Sequence, residues 1–288
     1  MVSRARNTAA SGTNPGWDIA VPSRGRPGRP AGIRMAGFQD RANVPVDLRV
    51  VPHPAVTIVF DLGDSPFAVE DGGGVRQAGS VVAGLAPTRV RARARGFECL
   101  QIRLSPVVAH AVLAGSSELG GTVVPLERLW GRDAARTEER LRAAGSWDDR
   151  FEIVAAAFAR RVTAARAPDP EVAFAWAQML ARRGQVRVEH LSAELGWSRK
   201  RLWSRFRSQI GETPKRAAQL VRFDDAAHRL VAGRSPALAA AESGFADQSH
   251  LHRDILSFAG VTPAAVAVEP WLVVDDTAWP APSRCTPS

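Results

Sequence analysis

Ten consecutive positions, 198–207, hold five cations (Arg199, Lys200, Arg201, Arg205 and Arg207) and no acid. The chemistry open to such a segment is neutralisation of a polyanion. Ammonium and guanidinium groups pair with phosphate oxygens, and Arg can donate two parallel hydrogen bonds to the edge of a guanine. Leu202 and Phe206 lie four apart, so a helix over 199–209 buries both on one stripe and turns Lys200, Trp203, Ser204 and Arg207 outward. Ser198 is placed as its N-cap. A helix over 248–258 has the same inward stripe, Leu251 and Ile255, behind an Asp247 cap, with Gln248, Ser249, His250, His252 and Arg253 outward. Asp247 and Asp254 cancel most of its charge. The pair predicts a division of labour, with more affinity from the first helix and more hydrogen-bond readout from the second.

Other reactive residue types are sparse. Cys99 and Cys285 are far apart with no CxxC, which supports neither a disulfide framework nor a cysteine zinc site. His250 and His252, two apart on a helix, point in different directions and make a poor metal pair. Asp61 and Asp64 flank a Gly63 turn, and turn chemistry explains them better than an acid pair. No catalytic residue, metal or cofactor is expected. No run approaches the roughly 18 apolar residues of a membrane helix, and the Arg-rich N-terminus lacks the apolar core of a secretory signal, so a cytoplasmic location without membrane contact is expected. The 288 residues carry a net charge of +9, and all basic residues except Lys200 and Lys215 are Arg. That charge suits a nucleic-acid partner, although genomic base composition also favours Arg.

An internal repeat must position the two helices. Gly211-Glu212-Thr213-Pro214 recurs 49 positions later as Gly260-Val261-Thr262-Pro263. Ser192 and Gly196 match Ala240 and Gly244 at an offset of 48. A small residue four before a glycine is the spacing of a helix-turn-helix, in which the small side chain permits close crossing and glycine takes the turn. Val188–Leu195 and Leu238–Ser243 are the expected supporting helices. Between the units, Pro214–Val231 reads as one helix with Ala217, Leu220, Phe223, Ala227 and Leu230 on a stripe. Its 18 residues span about 27 Å, enough with the flanking turns to set two recognition helices about one DNA turn (~34 Å) apart.

The whole chain reads as α+β with two domains. Residues 1–34, rich in Arg, Pro and Gly, are expected to form a disordered basic tail. Residues 35–183 form a β-rich sensory or dimerisation domain ending in helices, 184–268 the all-α double helix-turn-helix domain, and 269–288 a poorly ordered tail. Within the β region Val56–Phe60 is a strand with Phe67–Glu70 as partner. Arg89–Arg95 alternates strictly and suits a solvated face or a charged edge strand. Pro106 onward turns helical. Ser146 with Asp149 opens a helix to about Val162, and Asp169-Pro170-Glu171 caps another to about Arg183.

Leu191-Ser192-Ala193-Glu194-Leu195-Gly196-Trp197-Ser198, Gly244-Phe245-Ala246-Asp247-Gln248-Ser249-His250-Leu251 and Gly260-Val261-Thr262-Pro263 resemble the C-terminal signature of AraC/XylS-type transcription regulators. The resemblance implies double-stranded DNA as partner, read in adjacent major grooves through the outward residues named above. Ile255, where the family often has Phe, and the acid Asp254 depart from the pattern. More loosely, Arg49-Val50-Val51-Pro52, Ile58–Gly63 and Val124–Gly131 resemble the β-rich N-terminal domain of one subgroup. That likeness implies a sensory or dimerisation domain with an unidentified small-molecule effector; a homodimer and RNA polymerase are the further partners expected. The rivals are an enzymatic N-terminal domain, cupin-like or alkyl-accepting, and a pure protein-interaction module. The first lacks the cysteines and histidines it needs: His53 is the only histidine of the β region, with His110 just beyond.

Overall fold

The computed structural model describes residues 3–5, 16–23, 32–40, 42, 44–65, 67–113, 115–163 and 167–279. Eleven strands are found among them: β1 Ser3–Ala5, β2 Asp18–Val21, β3 Ile33–Gln39, β4 Pro45–Arg49, β5 Val56–Asp61, β6 Ala68–Glu70, β7 Arg76–Ala78, β8 Val81–Ala83, β9 Arg91–Arg95, β10 Glu98–Leu104 and β11 Val123–Pro125. They make an antiparallel seven-stranded sheet, β1-β2-β3-β10-β5-β8-β11, and a four-stranded one, β4-β9-β6-β7. Helices follow: α1 Pro106–Val112, α2 Glu127–Trp130, α3 Arg132–Ala143, α4 Trp147–Thr163, α5 Pro170–Ala181, α6 Val188–Glu194, α7 Arg199–Ile210, α8 Pro214–Val231, α9 Pro236–Glu242, α10 Gln248–Ala259, α11 Pro263–Val266, α12 Pro270–Val273 and α13 Asp275–Ala278.

Strand β10 shows why the N-terminal region is layered. Its alternate residues Leu100, Ile102 and Leu104 enter a core shared with α1 to α4, while Cys99 enters a second core between the sheets with Val69 and Ala92 of the small sheet. A period of two thus puts helices on one face of the large sheet and the small sheet on the other.

Three expectations are corrected. Phe67–Glu70 does not pair with Val56–Phe60; β6 pairs with β7 and β9 in the small sheet. The cause is Asp61, whose carboxylate accepts from the backbone N–H of Phe67 at 2.9 Å and of Gly63 at 3.4 Å and turns the chain out of the large sheet. Strand β9 is not an edge, because it lies between β4 and β6. Its alternation does set a charged outer face, on which Arg91 and Arg93 bind Asp47 at 2.9 and 3.2 Å and Arg93 binds Glu70 at 2.6 Å. Helix α5 belongs with the C-terminal helices, since Val172, Ala175, Trp176 and Met179 are buried in their core.

Both tails contribute structure. Residues 16–21 and 33–34 of the expected disordered segment lie in or beside the large sheet, with Trp17, Ile19 and Ala20 buried. In the expected C-terminal tail, α12 and α13 fold back so that Trp271 and Trp279 pack on Phe38, and Trp271 on Trp17 at 4.5 Å between ring centroids. Aromatic area buried there offsets the ordering entropy that composition alone suggested would dominate. The remainder of the two tails (1–2, 6–15, 24–31 and 280–288) lies outside the described residues.

This C-terminal strap also carries Asp275, which joins the two halves of the chain. Its carboxylate pairs with Arg103 of β10 at 2.7 Å and with His228 of α8 at 3.0 Å, and His228 Nδ1 donates to the Asp224 carbonyl at 2.8 Å. Burial disfavours the His228 charge, but the bond to Asp275 and the charges of Asp224 and Asp275 outweigh it and raise its pKa to about 10. Burial works against the Asp275 charge too, yet Arg103 and His228 hold its carboxyl well below the ordinary range. Burial raises Asp224 to about 6 against the pull of His228. A histidine whose folded pKa is raised stabilises fully below its unfolded value, near 6.5, and loses that contribution as pH rises through about 10. Urea unfolding of the full chain should therefore show stability falling from pH 7 to 10. In His228→Gln it should start lower and lose that part of the slope; an identical slope in wild type and variant would refute the assignment.

Candidate nucleic-acid interface

The two helix-turn-helix units form where the spacing placed them. In the first, α6 supports and α7 follows a turn at Gly196, whose φ of +64° is the left-handed conformation glycine takes without strain. In the second, α9 and α10 flank Gly244 at φ +73°. The small residues four before each glycine, Ser192 and Ala240, are buried, as close helix crossing requires. Ser198 Oγ accepts from Arg201 N at 3.2 Å and Asp247 Oδ1 from His250 N at 2.7 Å, so both caps are made. The inward stripes, Leu202 with Phe206 and Leu251 with Ile255, are fully buried. All five residues expected to line α8 (Ala217, Leu220, Phe223, Ala227 and Leu230) are buried as well.

Of the outward residues, Ser198, Arg199, Lys200, Trp203, Ser204 and Arg207 on the first unit are exposed, as are Gln248, Ser249 and Arg253 on the second. His250 and His252 are half-buried, and His250 meets the Phe245 ring edge-on at 5.2 Å. Trp197 is buried at the turn beneath the Arg201 guanidinium, 4.3 Å away, whereas Trp203 is 46% exposed with Arg207 at 5.2 Å from its ring. Trp203 therefore offers a free aromatic face.

Charge is distributed more evenly than residue counts indicated. On α7, Arg205 is held by Asp169 in a two-pronged pair at 2.7 and 2.8 Å, and Arg199 approaches Glu189 at 3.5 Å. Asp169 thus spends its side chain on Arg205, and α5 has no side-chain cap bond, contrary to expectation. On α10, Asp254 is buried and bound to Arg222 of α8 at 3.2 Å. It faces away from the outward side and does not cancel Arg253. The departures at Ile255 and Asp254 are both internal packing features.

The residues that aim the helices were not among the expected site residues. Gly211 and Gly260, which end α7 and α10, both rest on the N-terminal region, the first against the Ser117 backbone and the second against the Arg89 side chain. Gln209 accepts from Asp169 N at 2.8 Å, and α1 with the short 3-10 turn Ser116–Leu119 packs on α7. Arg216 of α8 covers the Phe258 ring at 3.7 Å and donates to Ser257, fixing α10 to α8. The repeated Gly-x-Thr-Pro pattern marked these ends; it carried no sign of their partner.

Chemistry of other kinds finds little support. Cys99 is buried and its thiol pushed up by desolvation, the reverse of a reactive nucleophile. Cys285 lies outside the described residues. Among the described residues no group of three His, Cys, Asp or Glu is placed to hold a metal, and no helix is long and apolar enough to cross a membrane.

Residues 191–267 match the family model described as a helix-turn-helix domain. No curated protein matches the chain by sequence. The solved structures it resembles include ToxT from Vibrio cholerae O395 (12% identity over 83% of this chain and 98% of that one, TM-score 0.48). A wild-type ToxT from Vibrio cholerae strain SCE256 with bound unsaturated fatty acid is similar at 12% identity, over 84% and 96% of the two chains, with a TM-score of 0.47. The AraC-like transcriptional activator CuxR is more distant (13% identity, 66% and 79% covered, TM-score 0.28). Tandem units, their caps and the family match agree: the C-terminal third of the chain is a helix-turn-helix domain, and the chain is a DNA-binding transcription regulator.

Proposed function

We propose that α7 and α10 enter two successive major grooves of one DNA site, that the protein works in the cytoplasm without enzymatic activity, and that an effector bound in the N-terminal region controls it. The observation that carries the groove reading is that both recognition helices present exposed polar and cationic residues while α8, buried along its stripe, joins them as one rigid spacer. Support for an effector comes from an apolar cavity between the two sheets. Pairing with a second copy and contact with RNA polymerase belong to the same proposal. Arg199, Lys200 and Arg207 serve grip on this reading, and Gln248, Ser249, His250, His252 and Arg253 serve selection. Because Arg205 is already paired and Asp254 is turned inward, the affinity of the two half-sites differs less than their sequence charges indicate. Selection of bound DNA from a random library should return two half-sites about one helical turn apart. A single half-site would leave only one helix reading DNA.

Salt dependence separates the cations. Replacing a phosphate-contacting residue among Arg199, Lys200 and Arg207 by Ala should lower the slope of log affinity against log salt by about one, whereas Arg205→Ala should leave it unchanged. Unchanged slopes at all three positions would remove the electrostatic account. Arg253→Ala should relax discrimination by about 1–3 kcal/mol at one position of the second half-site. Equal weakening on random DNA would make Arg253 a backbone contact instead.

A further inference from the structure

The cavity between the sheets has a volume of about 70 Å3 and is partly open to solvent, and seven valines with Phe67 and Trp271 make half of its lining. Four polar residues interrupt that wall, His53, Thr57, Gln101 and Arg103. His53 Nε2 meets the Thr57 hydroxyl at 3.1 Å and one Arg103 nitrogen is held by Asp275, but His53 Nδ1 and Arg103 Nε are buried with no hydrogen-bond partner. A guanidinium Nε always carries a proton, and a neutral imidazole carries one on Nδ1 when Nε2 accepts from a hydroxyl. Desolvation, then Arg103, keep His53 neutral. Arg103 Nε is thus a buried donor without an acceptor, and His53 Nδ1 is a second in the tautomer whose Nε2 accepts from Thr57, which native interiors seldom tolerate without a ligand or water.

Charge points the same way. Around the polar end stand Arg34, Arg103 and His228 against the carboxyls of Asp224 and Asp275. The cations are in excess, and Asp275, the carboxylate nearest Arg103, arrives on the strap that also carries the wall residue Trp271.

We propose that this cavity binds a small apolar carboxylate, its acid accepting from Arg103 Nε and His53 Nδ1 and its body lying among the valines, and that this ligand competes with Asp275 for Arg103. The inference rests on the effector reading and gives that effector a chemical class. Ligand and strap share one cation, so occupancy loosens the tie between β10 and the strap and leaves Asp275 to His228 alone.

Isothermal titration of the full chain with benzoate, 2-naphthoate and octanoate, each against its primary amide, tests this without DNA. At least one carboxylate should bind, with its amide at least tenfold weaker. Ala83→Phe, or Val69→Phe on the opposing sheet, should abolish binding by filling the chamber, and circular dichroism shows which of the two retains the fold. Asp275→Asn, which removes the competing anion, should tighten binding several-fold. Failure of all three acids to bind, equal binding of acid and amide, or binding that survives a folded filled variant would overturn the site. Unchanged affinity in Asp275→Asn would overturn the competition. Because the readout involves no DNA, loss of the groove reading in the selection experiment would leave this result standing, and the reverse also holds.

Discussion

Asp275 is one carboxylate serving two cations that come from opposite ends of the architecture, Arg103 in the central strand of the large sheet and His228 on the helix between the DNA-reading units. Without it, both positive groups would face each other in a poorly solvated space, and breaking one member of such a cluster exposes the full desolvation cost of the rest. The strap that delivers Asp275 therefore neutralises the charges where the β region meets the spacer helix. Leu85 and Ala86 from the β region already lie in the core of the C-terminal helices, so the expected boundary between domains is a packed junction.

That junction explains what the repeated Gly-x-Thr-Pro turns do. Each ends a recognition helix, and each is set against the N-terminal region, Gly211 on Ser117 and Gly260 on Arg89. The direction of both outward faces is thus fixed from two sides, by α8 along their flanks and by the β region at their ends. A change in the β region has a mechanical path to both helices that does not pass through their outward faces.

The helix-turn-helix units were legible because their determinants are local: a cap, a turn glycine, a small residue four before it and a stripe at spacing four. Most of what escaped is non-local. Nothing near Asp254 shows that Arg222, on another helix, turns it inward, and nothing near Arg205 shows that Asp169 claims it. Composition marked residues 1–34 and 269–288 as tails, yet Trp17 and Trp271 find each other across the length of the chain. The assignment of Phe67–Glu70 to the wrong sheet had a nearer origin, since the buried carboxylate of Asp61, six residues before Phe67, redirects the strand.

The contact between Trp17 and Trp271 also has a consequence in time. Synthesis runs from the N-terminus, and folding of the early domain usually begins while later residues are still being made. Here the aromatic floor built on Trp17 and Phe38 waits for a cover that is made far later in the chain. The β region can collapse early in translation but cannot close until α12 has been made. A chain that stops short of α12 exposes this aromatic surface.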